Sequence, residues 1–237
     1  MNDAHLTQEN IMSMTEQSLG QLARKIPGAT RVFHDYQLDF CCGGKQTLGE
    51  AAQAAGLDAQ AIEASLLSLQ AQAQRDGRDW GSACAADLIA HILARYHEVH
   101  RQQLPELIRL ARRVEQVHGD REDCPLGLAD HLCVMQQELE SHMQKEEQIL
   151  FPLLARELGA MAGGPITVMR MEHDEHGQAL QRLNALTNDI TLPRAACNTW
   201  RALYLGLRTL REDLMEHIHL ENNILFDNAE QAAPAHA

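Results

Sequence analysis

Aromatic residues make up only 4% of this 237-residue chain, and no run of 18 apolar residues interrupts it. Scarce aromatics beside abundant Ala, Leu, Gln and Glu favour helix over strand. The missing apolar run excludes a membrane-spanning helix. The opening residues hold neither a basic segment nor an apolar one, so no secretory leader is expected. Basic residues are outnumbered 20 to 33, and the net charge of −13 argues against nucleic acid or an anionic membrane as partner. The cysteines Cys41, Cys42, Cys84, Cys124, Cys133 and Cys197 form no Cys-x-x-Cys pair. Scattered thiols of this kind are expected to be reduced, which points to the cytoplasm.

What the chain does have is histidine, 13 of them, and a stretch that occurs twice. His142 to Phe151 and His217 to Phe226 both read His-x-x-x-Glu-x-x-Ile-Leu-Phe. On a helix, residues four apart lie about 40° from each other on one face, so each copy sets an imidazole beside a carboxylate. The Ile-Leu-Phe that follows offers apolar side chains for burial. A nitrogen and an oxygen ligand on an inward helical stripe, presented twice, suggest a metal site inside a bundle.

The helical patterns accommodate such a bundle. A loose lead-in over 1–16 precedes a small helical N-terminal domain over 17–76. Short helices are expected at Leu19–Ile26, Thr30–Tyr36, Leu48–Ala55 and from just after Asp58 to about Ala73. Thr47 and Glu50 make a capping box for the third of these. A polar, glycine-containing linker covers 77–84. Four long helical patterns follow across 85–229. They run Ala85–Val117, interrupted by Pro105; Pro125–Leu158, bent or broken at Pro152; Ile166–Asn188; and Ala195–Ala229. Gly163-Gly164-Pro165 separates the second from the third, and residues 230–237 read as a disordered tail. The predicted fold is all-α: an antiparallel four-helix bundle behind a small helical domain.

Two His-x-x-x-Glu pairs on the second and fourth helices need partners on the first and third. His97 and His100 share one face of the first, whereas His91 points elsewhere. The third offers His173 and His176. His97 to His142 spans 45 residues and His173 to His217 spans 44, so the chain reads as two hairpins, each with a lone His and one His-x-x-x-Glu. That repeat favours His173 over His176 and completes a set: His97, His142, Glu146, His173, His217 and Glu221. Four imidazoles and two bridging carboxylates without thiolate argue against structural zinc and for two iron ions, manganese second. The Glu-x-x-His pattern of ferritin-type sites is missing. Glu138, Glu172 and Glu175 stand near the ligands, either orienting them or as surface charge. His219 faces away from His217.

This arrangement resembles hemerythrin-like di-iron domains. A hemerythrin proper carries one more His; here the set is symmetric. With Cys41-Cys42-Gly43-Gly44-Lys45 ahead of it, the chain is similar to the repair-of-iron-centres family from about Leu19 to Phe226. The matching pieces include Arg95-Tyr96-His97-Glu98-Val99-His100, Ser141-His142 through Phe151-Pro152, Glu172-His173-Asp174-Glu175 and His217 through Asn223. The resemblance implies a cytoplasmic di-iron protein that restores iron–sulfur clusters damaged by nitric oxide or peroxide, donating iron from its binuclear centre. It carries the ligand role onto the same six residues and links Cys41 and Cys42 to function. Those thiols adjoin Lys45 and precede a helix N-terminus, both of which lower a thiol pKa. Damaged iron–sulfur proteins are then the partners and NO or O2 the small ligands, in a monomer or homodimer. Two further functions fit the same centre: an enzyme reducing NO or handling peroxide, and a gas-binding sensor.

Overall fold

The computed structural model describes residues 13–26, 29–38, 40, 44–73 and 80–232. They form helices and turns with no strand; one isolated antiparallel bridge joins Ser18 and Thr47. The chain divides into two compact units, Met1–Gly77 and Arg78–Ala237.

In the first unit a 3-10 turn at Met14–Glu16 leads into α1 (Leu19–Lys25), α2 (Ala29–Asp35), α3 (Leu48–Ala55) and α4 (Ala59–Ala73). The expected capping box is present: Thr47 Oγ1 accepts from the Glu50 N–H at 3.2 Å, and Glu50 Oε2 accepts from the Thr47 N–H at 3.0 Å. Ser18 and Gln21 cap α1 in the same way. The two caps are tied together, Leu19 N–H to Gln46 O and Leu48 N–H to Gln17 O. Gly56, at φ 69°, ends α3 in the left-handed conformation that costs other residues most. Leu19, Leu22, Phe33, Phe40, Leu48, Ile62 and Leu66 fill the core. Part of the expected lead-in is anchored: the Met14 N–H donates to Glu63 on α4 at 3.1 Å.

In the second unit each long arm but the third contains a wide π-turn. The first arm is α5 (Ala85–Ile92), a π-turn at Leu93–His97, and α6 (Glu98–His118). The second is α7 (Leu128–Lys145), a π-turn at Glu146–Leu150, and α8 (Phe151–Ala155). The third is α9 (Gly159–Leu186) alone. The fourth is α10 (Asn198–Leu220), a π-turn at Glu221–Leu225, and α11 (Phe226–Ala232). α6 packs on α7 and α10, while α9 packs on α7, α8 and α11, giving the expected four-helix bundle. Gly206 lets α10 approach α6: a Cβ there would lie 2.6 Å from Leu107 Cδ2.

Several expected boundaries differ. Helix α9 runs straight through Gly163-Gly164-Pro165. Pro165 deprives Met161 O of its helical donor, but Ala162, Ile166 and Met169 on the same stretch are buried, which offsets that loss. Pro105 likewise sits inside α6 without interrupting it. Pro152 lies in the first turn of α8, where its missing N–H costs little. The last helix reaches Ala232, into the stretch expected as a tail. No helix among the described residues is long and apolar enough to cross a membrane.

A core at one end of the bundle gathers Leu88, Ile92, Tyr96, Leu150, Phe151, Ile166, Ile224 and Phe226. Each fully buried Leu, Ile or Phe there contributes roughly 1.5–3 kcal/mol. The repeated Ile-Leu-Phe feeds it unequally. Ile224 is 3% exposed, but Ile149, its counterpart, is 53% exposed and does not join the core.

Candidate metal centre

The three π-turns lie where the candidate ligands lie. One ends on His97; the others begin at Glu146 and Glu221. In each, a backbone N–H reaches five residues back: Glu98 to Leu93 O, Phe151 to Glu146 O and Phe226 to Glu221 O. Such a turn inserts one residue into the helical register and rotates the faces on either side of it. The helix can therefore aim His and Glu at the bundle axis and still bury Leu150, Phe151, Leu225 and Phe226 beyond the turn.

All six candidate residues converge, each at most 1% exposed. They form two overlapping groups, His97–Glu146–His217–Glu221 and His142–Glu146–His173–Glu221, whose ligand atoms lie within 4.8 Å of one another. Glu146 and Glu221 belong to both. Glu146 Oε2 is 3.3 Å from His97 Nε2 and its Oε1 is 3.4 Å from His142 Nε2. Glu221 Oε1 is 3.0 Å from His217 Nε2 and its Oε2 is 3.1 Å from His173 Nε2. Neither oxygen of Glu146 has a protein hydrogen-bond donor in suitable geometry. Burial first, and the charge of Glu221 next, push the Glu146 carboxyl well above the usual carboxylate range.

The outer nitrogens decide what the inner ones offer. His142 Nδ1 meets Glu172 Oε2 at 2.9 Å, and His173 Nδ1 meets Asn222 Oδ1 at 2.8 Å. Both partners are acceptors, so both Nδ1 atoms carry hydrogen, which in the neutral rings leaves the Nε2 lone pairs turned inward. Those lone pairs face each other 3.1 Å apart. A cation between them turns repulsion into coordination, so the donor set fits a metal ion. His97 Nδ1 donates to Glu147 Oε1 at 2.8 Å. His217 Nδ1 has no partner; its ring instead stacks on Tyr96, centroids 5.3 Å apart and planes 4° from parallel. Arg101 holds Glu147 at 2.9 Å, and Lys145 pairs with Glu172. The hydrogen bond from His142, then Lys145, brings Glu172 down to about 2 against the cost of partial burial. Burial, then His217, lowers His97 to about 4.

The hemerythrin HHE cation-binding domain family matches residues 88–229, which contain all six. The ScdA_N family, a domain of unknown function, matches residues 15–70. The iron–sulfur cluster repair protein YtfE of Dickeya chrysanthemi is 52% identical over 218 residues, 92% of this chain and 98% of its own. The proteins of the same name from Pectobacterium atrosepticum and Yersinia pestis are 53% identical over the same shares. The chain belongs to the YtfE family of iron–sulfur cluster repair proteins.

Within this family member, the other histidines sort clearly. His91 stacks on Trp80, centroids 4.3 Å apart, away from the centre. His100 and His176 are both buried beside it: His100 is 5.5 Å from the His217 ring, and His176 stands edge-on to His142 at 4.9 Å. Burial, then His142, lowers His176 to about 3, so it is neutral. His219, expected to face away from His217, is buried and contacts Asn223. Glu172 accepts from His142 Nδ1, whereas Glu138 and Glu175 are exposed. Sequence reasoning missed Glu147 and Asn222. Their signal is positional: each directly follows the glutamate of one repeat copy and receives the lone His of the matching hairpin. Cys41 and Cys42 lie outside the described residues.

Proposed function

We propose that this chain holds a carboxylate-bridged pair of iron ions and delivers iron to iron–sulfur clusters damaged by nitrosative or oxidative stress. The observation that carries this is the pair of donor groups sharing Glu146 and Glu221, with the His142 and His173 lone pairs turned on one point. His97 and His217 would hold one ion, His142 and His173 the other. A nitrogen and oxygen set without thiolate suits iron, with manganese second. Iron held by these residues would supply redox capacity and a place for NO or O2 to bind. Protonatable donors release it more readily than a thiolate cage, as delivery requires. The relatives' name, iron–sulfur cluster repair protein, supports damaged iron–sulfur proteins as recipients. Cys84, Cys124, Cys133 and Cys197 are free, in keeping with a cytoplasmic setting. Cys41 and Cys42 are the thiols assigned to accept or pass iron, on their sequence neighbours Lys45 and the capped start of α3.

Metal analysis of the purified chain should give two irons with visible charge-transfer absorption. The loaded chain, mixed with an enzyme whose [4Fe–4S] cluster has been damaged, should restore activity. Recovery no greater than that given by equal free iron ends the delivery reading.

A further inference from the structure

The six ligands are each at most 1% exposed, so a reductant in solution does not touch them, and electrons that change the charge of bound iron must cross the protein. One ligand is backed differently from three of the others. His97, His142 and His173 turn Nδ1 to an acceptor, whereas His217 lies against the Tyr96 ring, centroids 5.3 Å apart and planes 4° from parallel. Tyr96 is itself buried, but the line of rings goes on past it. His91 meets Tyr96 edge-on at 5.7 Å, and Trp80 stacks on His91 at 4.3 Å. His91 on α5 and Trp80, in the short turn Trp80–Ser82 before it, are both half-buried, so the line runs from the centre to solvent. Phe151 and Phe226 stack on His97 and His173 in a similar way, but those two rings are buried. Centroid spacings of this size are those of rings in contact. Electronic coupling falls steeply across saturated side chains and gaps, and less steeply across π systems that touch. A line of four touching rings ending on a metal ligand is therefore a favoured route for an electron.

We propose that Trp80, His91 and Tyr96 form an electron path through which a one-electron donor at the surface, a reduced flavin, reduces the iron pair. The path rests on the iron-holding reading above. The reduced flavin gives up two electrons in single steps and releases its proton to solvent. Each ferric ion takes one electron and becomes ferrous, and the rings end unchanged. Ferrous iron exchanges its ligands faster than ferric iron, so reduction readies the cargo for delivery without opening the buried site. The test mixes the diferric, iron-loaded full chain anaerobically with photoreduced flavin mononucleotide and follows the loss of visible absorption by stopped flow. Because Tyr96 touches a ligand, the variants sit on the two outer rings. Trp80→Leu and His91→Leu should each be reduced several-fold more slowly than the wild type, with iron content and midpoint potential unchanged. His91→Phe, which keeps a ring, should stay near the wild-type rate. Equal rates in all forms, or a His91→Phe chain as slow as His91→Leu, overturns the path. Slowing matched by a lower midpoint potential overturns it too, because driving force then accounts for the rate. A wild-type chain that holds no iron removes path and delivery together. A chain that never restores damaged clusters, yet whose outer-ring variants are slowly reduced, removes delivery and leaves the path standing.

Discussion

The half of the centre built from His142 and His173 and the half built from His97 and His217 use the same residue types and differ in how the imidazoles are anchored. In the first, both outer nitrogens donate to fixed acceptors, Glu172 and Asn222. Both tautomers are locked with the lone pair inward. In the second, only His97 is locked, by Glu147. Tyr96 immediately precedes His97, as Glu172 precedes His173, and it stacks on His217 instead of accepting its proton. His217 can therefore carry its hydrogen on Nε2 and donate to Glu221 at 3.0 Å. One half is set for a cation before it arrives; the other can satisfy itself without one. The locked half should bind more tightly and the other should give up its ion first.

The largest effect should come from removing what the halves share. Glu146→Leu or Glu221→Leu takes a carboxylate from both, and iron should fall below two per chain by metal analysis. Unchanged iron in both variants would end the bridging role. Next, Glu172→Leu should weaken the locked half alone, by about 10- to 100-fold in metal affinity by chelator competition. If both halves weaken equally, the difference between them is not one of anchoring.

A smaller effect concerns acid. An unfolded His takes up a proton near pH 6.5, whereas buried His176 refuses one until about pH 3. Folding thus opposes protonation across that window, and stability falls as pH drops from about 6.5 towards 3. In the iron-stripped chain, guanidinium midpoints should show a shallower acid limb for His176→Leu, by up to about 1.4 kcal/mol per pH unit. An unchanged limb would mean that His176 is charged or hydrated. The smallest effect should be Tyr96→Phe, which keeps the stacked ring and leaves metal affinity in both halves within a few-fold of wild type. A loss comparable to that of Glu172→Leu would show that the tyrosine hydroxyl anchors His217 after all.

The six converging residues were legible because they repeat at nearly equal spacing on faces that helical periodicity defines. The capping box at Thr47 was legible for the same reason: its signal is local. The asymmetry between the halves was not. Glu147 and Asn222 follow Glu146 and Glu221 directly, and residues adjacent on a regular helix point about 100° apart, so the wheel assigns them away from the centre. The π-turns undo that assignment, and nothing in the composition of Leu93–His97, Glu146–Leu150 or Glu221–Leu225 announces them. Likewise Gly163-Gly164-Pro165 carries a strong breaker signal, overridden by apolar burial at Ala162, Ile166 and Met169. Ile149 and Ile224 look equivalent in the repeat, and only tertiary packing separates them.

The π-turns also say something about inheritance and copying. A single added residue works here as a frameshift does in a message: the helix before it and the helix after it are read in different angular frames. Three of the four arms carry such a shift and α9 does not, so the two hairpins cannot be superimposed residue for residue through their first arms. A designer grafting these six side chains onto an ideal, uninterrupted bundle would find the carboxylates or the apolar residues beyond them turned to the wrong face. Deleting one residue from any of the three turns should do the same to the natural chain, leaving a helix of nearly the same length with its ligands out of phase.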